Sequence, residues 1–479
     1  GTAETAGVDA ALLERRADVL SQLRTAYFGS SNNLSRRERR DLVTKLEAEA
    51  NSLEREIRQA SNIATAASDV AILDLRNALP AGAALLDVIQ IRRYARRENG
   101  EEVQDSRQYV GFLVTGQQPV RRIDFGAVDE FDKAALSFYE NVSSGNPNYA
   151  ESGTTLSKLI RGPLDGALRD VDTLIVSGDG LFHMLPLGAL PGKAEDSVWL
   201  DELAFASLGN VRELLHDPAA AQPKPGSQPT LRAIVVGGVE YGEPQPDIPR
   251  RNWSHLPGTT KEAAAITSQL SLSLGKDQVT SSGGADATES RITERLQECQ
   301  LVHLATHGFF GGSSKRPGDA FEIIDITAEM DSAIVLAGAN TPPGDADQLL
   351  TAEELGNQDL KHVRLLVLSA CQTGLGHVRA GQGVVGLLGA LGRAGVRSIV
   401  SSLWEVNDEA TAKLMTAFYE ELSRDASRLG LAKSLRRAQL KLRRGEIKPE
   451  GGGSFTHPRF WAPFFLSGSS EGLKLKQVR

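Results

Sequence analysis

The chain lacks most of the residues that mark specialised protein classes. Its 479 residues include two cysteines, which cannot form the disulfide framework of a secreted domain. No run of about 18 apolar residues is present, so the sequence predicts no transmembrane helix. Acidic residues outnumber basic ones, and the net charge of -8 argues against a dedicated nucleic-acid-binding face. The first residues show no charged-then-apolar signal pattern. These absences favour a globular protein of a reducing compartment, and we expect it to be cytoplasmic and to bind neither membrane nor nucleic acid directly.

The pattern of apolar residues divides the chain into an N-terminal helical segment and a larger body. Apolar residues at helical spacing predict helices within residues 1–74. This segment is either a helical hairpin on the main body or the end of an upstream repeat array. Strand and helix patterns then alternate over 75–215 and again over 230–470, separated by a linker rich in proline and alanine at 216–229. Residues 471–479 are a tail. The alternation predicts an α/β fold with a mostly parallel sheet.

Two short apolar runs end on reactive side chains. The predicted strand Leu301–Thr306 is followed by His307, and the strand Leu365–Ala370 is followed by Cys371. The ends of parallel strands are where α/β folds place their chemistry. A thiol becomes a nucleophile beside a base, and histidine is a base near neutral pH. The backbone amides of Gly308 and Cys371 could then hold an oxyanion. The alternative is that both side chains are incidental, with the cysteine acting as a small buried apolar residue.

Several longer motifs resemble the CHAT domain, a caspase-like domain often fused to tetratricopeptide repeats. They are "HLATHGFF", "LLVLSACQTGLG", "GQGVVGLLGALGRAGVRSIVSSLWEVNDEAT" and "HPRFWAPFFLSG", and the likeness extends over about residues 75–470. The resemblance implies a caspase-like α/β/α sandwich with a catalytic half and a related non-catalytic half. It also implies a His307/Cys371 dyad, a specific protein substrate and no cofactor. We further expect an activating protein partner or an upstream repeat domain. The alternative is a catalytically weak CHAT module that serves as a scaffold or regulatory interaction domain.

The resemblance also bears on the cleavage site. The stretch "SSLWEVNDEAT" (401–411) resembles the strand and turn that line the primary specificity pocket of separase-type enzymes. It implies that Asp408, with Glu405 as second candidate, binds a basic side chain, most readily arginine. The alternative is that Asp408 only caps the following helix. The chain also departs from the family pattern, because Gln372 and Gln382 stand where relatives usually have glutamate.

The remaining reactive residues are interpreted more simply. Cys299 and His303 lie on or beside apolar runs, so we expect core packing. His362, His377 and His457 have no companion cysteine or carboxylate at metal-binding spacing, and we predict no metal site. The "GQGVVG" match (381–386) does not directly follow its strand, so nucleotide binding is not favoured.

Overall fold

The computed structural model describes residues 70–96, 102–116, 118–215, 231–245, 252–310, 332–341, 347–369, 377–379, 383–425 and 430–470, with single positions between 11 and 56. Cys371, Gln372, Gln382, the predicted linker 216–229 and the predicted tail 471–479 lie outside the described residues. The described positions between 11 and 56 are helical, and the Arg15 guanidinium lies 2.8 Å from the Glu49 carboxylate.

The main body alternates strands and helices. Its first part contains α1 (Ile72–Ala78), β1 (Ala83–Arg96), β2 (Glu102–Val114), β3 (Arg121–Ala127), α2 (Val128–Ser144), α3 (Tyr149–Ile160), β4 (Thr173–Ser177) and β5 (Ala204–Leu208). The second part continues with β6 (Ala233–Val239), α4 (Pro257–Leu274), β7 (Val279–Gly284), α5 (Glu289–Leu296), β8 (Leu301–Leu304), β9 (Gly308–Phe310), β10 (Ser332–Val335), β11 (Leu349–Thr351), α6 (Ala352–Gly356) and β12 (Leu365–Leu368). It ends with β13 (His377–Arg379), β14 (Gly383–Val385), α7 (Leu387–Arg393), β15 (Ser398–Ser402), α8 (Asp408–Asp425), α9 (Leu431–Arg443), α10 (Pro458–Trp461) and β16 (Phe464–Gly468).

One eleven-stranded sheet runs through the body in the order β3-β2-β1-β4-β5-β16-β15-β12-β8-β6-β7. Seven of its ten neighbouring strand pairs are parallel, so the predicted α/β fold with a mostly parallel sheet is confirmed. Two smaller antiparallel units stand apart from it, one of β9, β10 and β11 and one of β13 and β14. The second strand of this hairpin, β14, is followed directly by α7.

Alternating strand residues bury both faces of the sheet under helices. In β12, Leu365 and Val367 pack in the apolar cluster that also contains α4 and α8 residues. Leu366 and Leu368 point to the opposite face and pack with residues of α5 and α7. Because successive strand side chains face opposite sides, a strand that is apolar throughout requires such cover on both faces. The result is a three-layered α/β/α arrangement.

Candidate active site

The carboxyl ends of neighbouring parallel strands bring the predicted site residues to one edge of the sheet. Leu304 at the end of β8 pairs with Leu368 at the end of β12, and β12 pairs in parallel with β15. His307 comes three residues after Leu304, while Glu405 and Asp408 follow the end of β15. Cys371, three residues after Leu368 in the sequence, lies outside the described residues.

The backbone of His307 is fixed on both sides. Its carbonyl oxygen accepts a hydrogen bond of 2.8 Å from the Val335 amide, and its amide donates to the Tyr241 hydroxyl at 3.3 Å. The same tyrosine hydroxyl lies 2.8 Å from Thr306 Oγ1, which donates to the Val335 carbonyl. Gly308 then begins β9, opposite Ile334 of β10. These bonds tie the end of β8 to the segment that follows β6 and to β10.

The His307 ring is oriented by a main-chain carbonyl and two aromatic rings. Its Nε2 lies 2.7 Å from the carbonyl oxygen of Ser254. The ring centroids of Tyr241 and Trp253 lie 5.0 and 5.3 Å from the centroid of the His307 ring. Because a carbonyl oxygen only accepts, Nε2 carries the proton and Nδ1 of the neutral ring carries the lone pair. Burial lowers the pKa of His307, whereas the Ser254 hydrogen bond and the charges of Asp408 and Glu405 act to raise it.

A buried asparagine positions Trp253. Asn340 is fully buried, and its side-chain oxygen accepts a hydrogen bond of 2.9 Å from the Trp253 amide. Its Nδ2 donates to the Trp253 carbonyl at 2.9 Å and to the Gly242 carbonyl at 2.8 Å. Trp253 also stacks on Phe309 at 5.5 Å. The segment that carries the Ser254 carbonyl is therefore held by groups unrelated to the dyad itself.

Asp408 caps a helix, but not the one that it begins. The Asn407 side chain accepts a hydrogen bond of 2.9 Å from the Ala410 amide, so Asn407 caps α8 and the interpretation of Asp408 as that cap is wrong. The Asp408 carboxylate instead accepts a hydrogen bond of 2.6 Å from the Gly258 amide in the first turn of α4. A Cβ atom on Gly258 would lie 2.4 Å from the Asp408 carboxyl carbon. Asp408 thus joins the starts of α4 and α8.

The carboxylates of Asp408 and Glu405 differ in exposure. Asp408 is partly buried against α4, whereas Glu405 is exposed at the turn after β15. Both lie close enough to His307 to favour its protonated form. The structure therefore brings His307 and the two predicted specificity acids into one electrostatic neighbourhood.

A second histidine, His303 within β8, belongs to a buried network. His303 Nε2 lies 3.0 Å from Glu262 Oε1, and both residues are 1% exposed. Its Nδ1 lies 3.4 Å from the Tyr419 hydroxyl of α8. Glu262 belongs to α4, so this network links β8, α4 and α8. His303 is in the core as predicted, but as one partner of a buried acid.

Cys299 is also in the core, as predicted. It is 3% exposed, and burial raises the pKa of its thiol to about 11. Among the described residues no group of three or more His, Cys, Asp or Glu side chains could hold a metal ion. Across the same residues, no helix has both the length and the apolar character needed to cross a membrane.

The sequence patterns did not single out the residues that position His307. Tyr241, Trp253, Ser254 and Asn340 lie in loops, where no periodicity distinguishes a neighbour of the site from a solvated side chain. Glu262 did carry a signal, because it falls on the buried stripe of α4 with Thr259, Ala263 and Ile266. A lone acid on such a stripe requires a buried partner.

Comparisons with known proteins identify the family of the chain. The model of the CHAT domain family matches residues 150–469. Tetratricopeptide repeat protein 28 of Mus musculus is 26% identical over 339 residues, and its human counterpart is 25% identical. Each match covers 66% of this chain and 13% of the relative, so the chain corresponds to a small part of those proteins.

The solved structures that resemble this chain are less similar in sequence. The Saccharomyces cerevisiae separase–securin complex at 2.6 Å resolution is 8% identical, with a TM-score of 0.49, over 96% of this chain and 37% of that one. The Arg-specific cysteine proteinase gingipain R (RgpB) is 11% identical, with a TM-score of 0.40, over 72% of this chain and 76% of that one. The family match, which spans well over half of the residues, decides the assignment. This chain belongs to the CHAT domain family.

Proposed function

We propose that this chain is a cysteine endopeptidase in which Cys371 is the nucleophile and His307 its general base. The register of the two strands supports this most directly. Leu304 and Leu368 are paired across parallel strands, and the histidine and the cysteine each follow three residues later. Segments that leave neighbouring parallel strands from paired positions begin side by side. The proposed dyad therefore starts from the same edge of the sheet.

The state of His307 suits the role of a base. With Nε2 bound to the Ser254 carbonyl, Nδ1 is the nitrogen that can take a proton. In the proposed reaction, Nδ1 accepts the proton of Cys371 Sγ, and the sulfur attacks the scissile carbonyl carbon. The Gly308 and Cys371 amides donate to the resulting oxyanion. The imidazolium then protonates the leaving amine as the C–N bond breaks. A water molecule, deprotonated by His307, hydrolyses the thioester and releases the acid.

The proposed cleavage site follows a basic residue. Asp408 and Glu405 put negative charge beside His307, and the one Asp408 oxygen not used by Gly258 could accept from a guanidinium. The substrate would then be a protein with an arginine before the scissile bond. No cofactor is required by this chemistry.

We also infer that a protein partner or a repeat domain controls the activity. The curated relatives are named for tetratricopeptide repeats, and the matched region makes up 13% of their length. Regulation by an attached repeat domain is consistent with a peptidase that acts on a specific protein.

Labelling of the thiols tests the proposal without knowledge of the substrate. The sequence contains only Cys299 and Cys371, and the Cys299 thiol is buried with a raised pKa. A peptidyl acyloxymethyl ketone ending in arginine should therefore add once, at Cys371, as measured by intact mass. Cys299→Ser should label like the wild type, and Cys371→Ala should not label. An unlabelled wild-type chain would favour a scaffold or regulatory role, and label on Cys371→Ala would place the reactive group elsewhere.

A further inference from the structure

The hairpin of β1 and β2 extends past the rest of the large sheet. β4 pairs with β1 only over Ala83–Asp87, and β3 pairs with β2 only over Gln108–Leu113. The ladder between β1 and β2 continues further, to the pair of Arg96 and Glu102. Within the described part of the chain, the outer half of the hairpin is therefore a two-stranded ribbon. Such a ribbon is marginally stable in water unless something packs against it.

One edge of this ribbon is open along β1. The Gln90 amide donates a hydrogen bond of 3.0 Å to the Asp179 carboxylate, so it faces away from β2. Because the amides of alternate strand residues face the same edge, the Arg92 and Tyr94 amides face away from β2 as well. On that side, none of the described strands pairs with β1 beyond Asp87. An extended segment could therefore add to β1 there by main-chain hydrogen bonds.

Two arginines of the ribbon stand directly opposite each other. Arg92 of β1 is the ladder partner of Arg107 of β2. Because the Arg92 amide faces away from β2, this is the kind of pair in which side chains lie closest, and like charges there are unfavourable. Arg107 lies 3.4 Å from the Asp129 carboxylate of α2, whereas Arg92 is exposed and forms no ion pair with a described residue. One carboxylate placed between the two guanidinium groups would stabilise both.

Tyr94 provides an apolar surface beside the arginines. It lies two residues after Arg92, on the same face of the strand, and is 59% exposed. Charged residues on an open edge disfavour pairing with a second copy, because two copies would bring like charges together. They do not oppose a segment of the opposite charge. The open edge, the opposed arginines and the exposed ring therefore favour an acidic peptide over a second copy of this chain.

We propose that the outer edge of β1 binds an extended acidic segment of a partner protein, which adds as a strand beside β1. A carboxylate of this segment would bond to Arg92 and Arg107, and an apolar side chain two residues away would pack on Tyr94. In this mode of recognition, main-chain hydrogen bonds supply affinity and alternate side chains supply specificity.

The edge is separate from the proposed dyad. Four strands lie between β1 and β12 in the sheet. The Asp179 carboxylate that binds Gln90 precedes the short helical turn Gly180–Met184, and the backbone of that turn lies near β13. A bound segment would therefore lie beside this turn. Its binding can be measured whether or not the chain is a peptidase.

Fluorescence anisotropy with labelled peptides tests the proposal on the whole chain. The probe Thr-Glu-Thr-Val-Thr-Glu-Thr-Val-Thr presents glutamate and valine on one face of a strand, and its counterpart has lysine in place of both glutamates. We expect saturable binding of the glutamate peptide, at least about tenfold tighter than of the lysine peptide, because a hydrogen bond to a charged group is replaced by repulsion.

A third peptide tests strand addition. Prolines at the fourth and fifth positions of the glutamate peptide remove one amide from each of its edges and leave its charge unchanged. This peptide should bind at least about tenfold more weakly than the original, because proline cannot donate to a ladder. Equal binding of the two would show attraction by charge alone and would overturn the proposal.

Two charge reversals test the location. Arg92→Glu should weaken binding of the glutamate peptide at least about tenfold, and its midpoint of thermal unfolding should not fall, since the like-charge pair with Arg107 is removed. Arg122→Glu makes the same change at an exposed position of β3, on the opposite edge of the sheet, and should leave binding unchanged. No saturable binding, unchanged binding in Arg92→Glu, or an equal loss in both variants would each overturn the proposal.

Two further outcomes would assign the edge to another occupant. A wild-type dimer that the glutamate peptide dissociates, as measured by sedimentation, would assign the edge to a second copy of the chain. Displacement of the peptide by an equal or lower concentration of a single-stranded oligonucleotide would assign it to a nucleic acid. Either result would overturn the proposal of a protein segment.

Discussion

His303 lies within β8 and His307 lies just beyond its end, and the two rings have opposite surroundings. His303 is 1% exposed, and its two ring nitrogens face Glu262 and Tyr419. His307, four residues on, has one nitrogen on the Ser254 carbonyl and a ring that remains partly exposed. The first ring is enclosed by three elements, whereas the second retains a nitrogen for chemistry. The difference shows that neighbouring residues of one type acquire different roles from what packs around them.

Helix α4 connects the two environments. Glu262, in its second turn, binds His303, while Gly258, in its first turn, binds Asp408. The Ser254 carbonyl that orients His307 lies just before the same helix. One helix therefore contacts both environments. Its Glu262 binds His303 in the core, and its Gly258 binds Asp408 beside the proposed site.

Loss of the site histidine should have the largest effect. His307→Ala removes the proposed base, so the rate of Cys371 labelling by the arginyl ketone should fall by at least about 10³-fold. The free energy of unfolding should change by only about 1 kcal/mol, since one side-chain hydrogen bond is lost. His362→Ala is the matched control, because His362 Nε2 also bonds a main-chain carbonyl, that of Leu296, at 2.9 Å. A similar loss of labelling in both variants would contradict a specific role for His307.

Loss of the interior histidine should act on stability instead. His303→Ala leaves the Glu262 carboxyl buried without its partner, and we expect a loss of about 3–5 kcal/mol in the free energy of unfolding. The double variant His303→Leu/Glu262→Leu removes both polar groups and should regain most of that loss. Urea unfolding measures each value. A single variant as stable as the wild type would show that the network contributes little.

Loss of charge at Asp408, the proposed pocket acid, should have an intermediate effect. Asparagine at position 408 can still accept from the Gly258 amide but carries no charge, so α4 keeps its contact. Cleavage of arginine peptides by Asp408→Asn should fall about 10- to 100-fold, as expected when a hydrogen bond to a charged group is lost. Matched peptides ending in Arg, Lys, Leu or Asp provide the comparison. An unchanged arginine preference would reject Asp408 and leave Glu405 for the same test with Glu405→Gln.

The smallest expected effect is on the titration of His307. Asp408 and Glu405 each act to raise its pKa, so neutralising either should lower that pKa further, by less than about one unit. NMR of the ring across pH 4 to 8 measures the shift from an ordinary value of 6.5. Because Glu405 is exposed, about 1 M salt should abolish most of its effect on the pKa of His307. A pKa that rises in Glu405→Gln would contradict this description.

The sequence predicted the strands of the site well because they are apolar along their whole length. β8 and β12 both begin at the predicted residues, since burial on both faces leaves few alternatives for short Leu/Val runs. The family motifs supplied the proposed dyad and the proposed specificity turn. Spacing alone would have left His307 and Cys371 as two residues after two strands.

The contacts around the site could not be predicted in the same way. Asp408 has the residue type of an N-cap and stands at the start of α8. Local propensity does not reveal that Asn407 caps that helix, or that the amide bound by Asp408 belongs to a helix 150 residues away. Asn340 and Trp253 likewise meet through loops of irregular backbone. Only Glu262 and His303 could be recognised from the sequence, because each is a single ionisable residue on the buried face of its helix or strand. Two such residues in one core are best satisfied by each other.

The close approach of Asp408 to Gly258 also constrains how relatives of this chain can diverge. A Cβ at position 258 would overlap the carboxyl group, so any side chain there requires that position 408 first become smaller or turn away. The two positions, 150 residues apart in the chain, should therefore change together among homologues. Lineages with a side chain at position 258 should lack an acid at 408, and their preferred substrates should change with it.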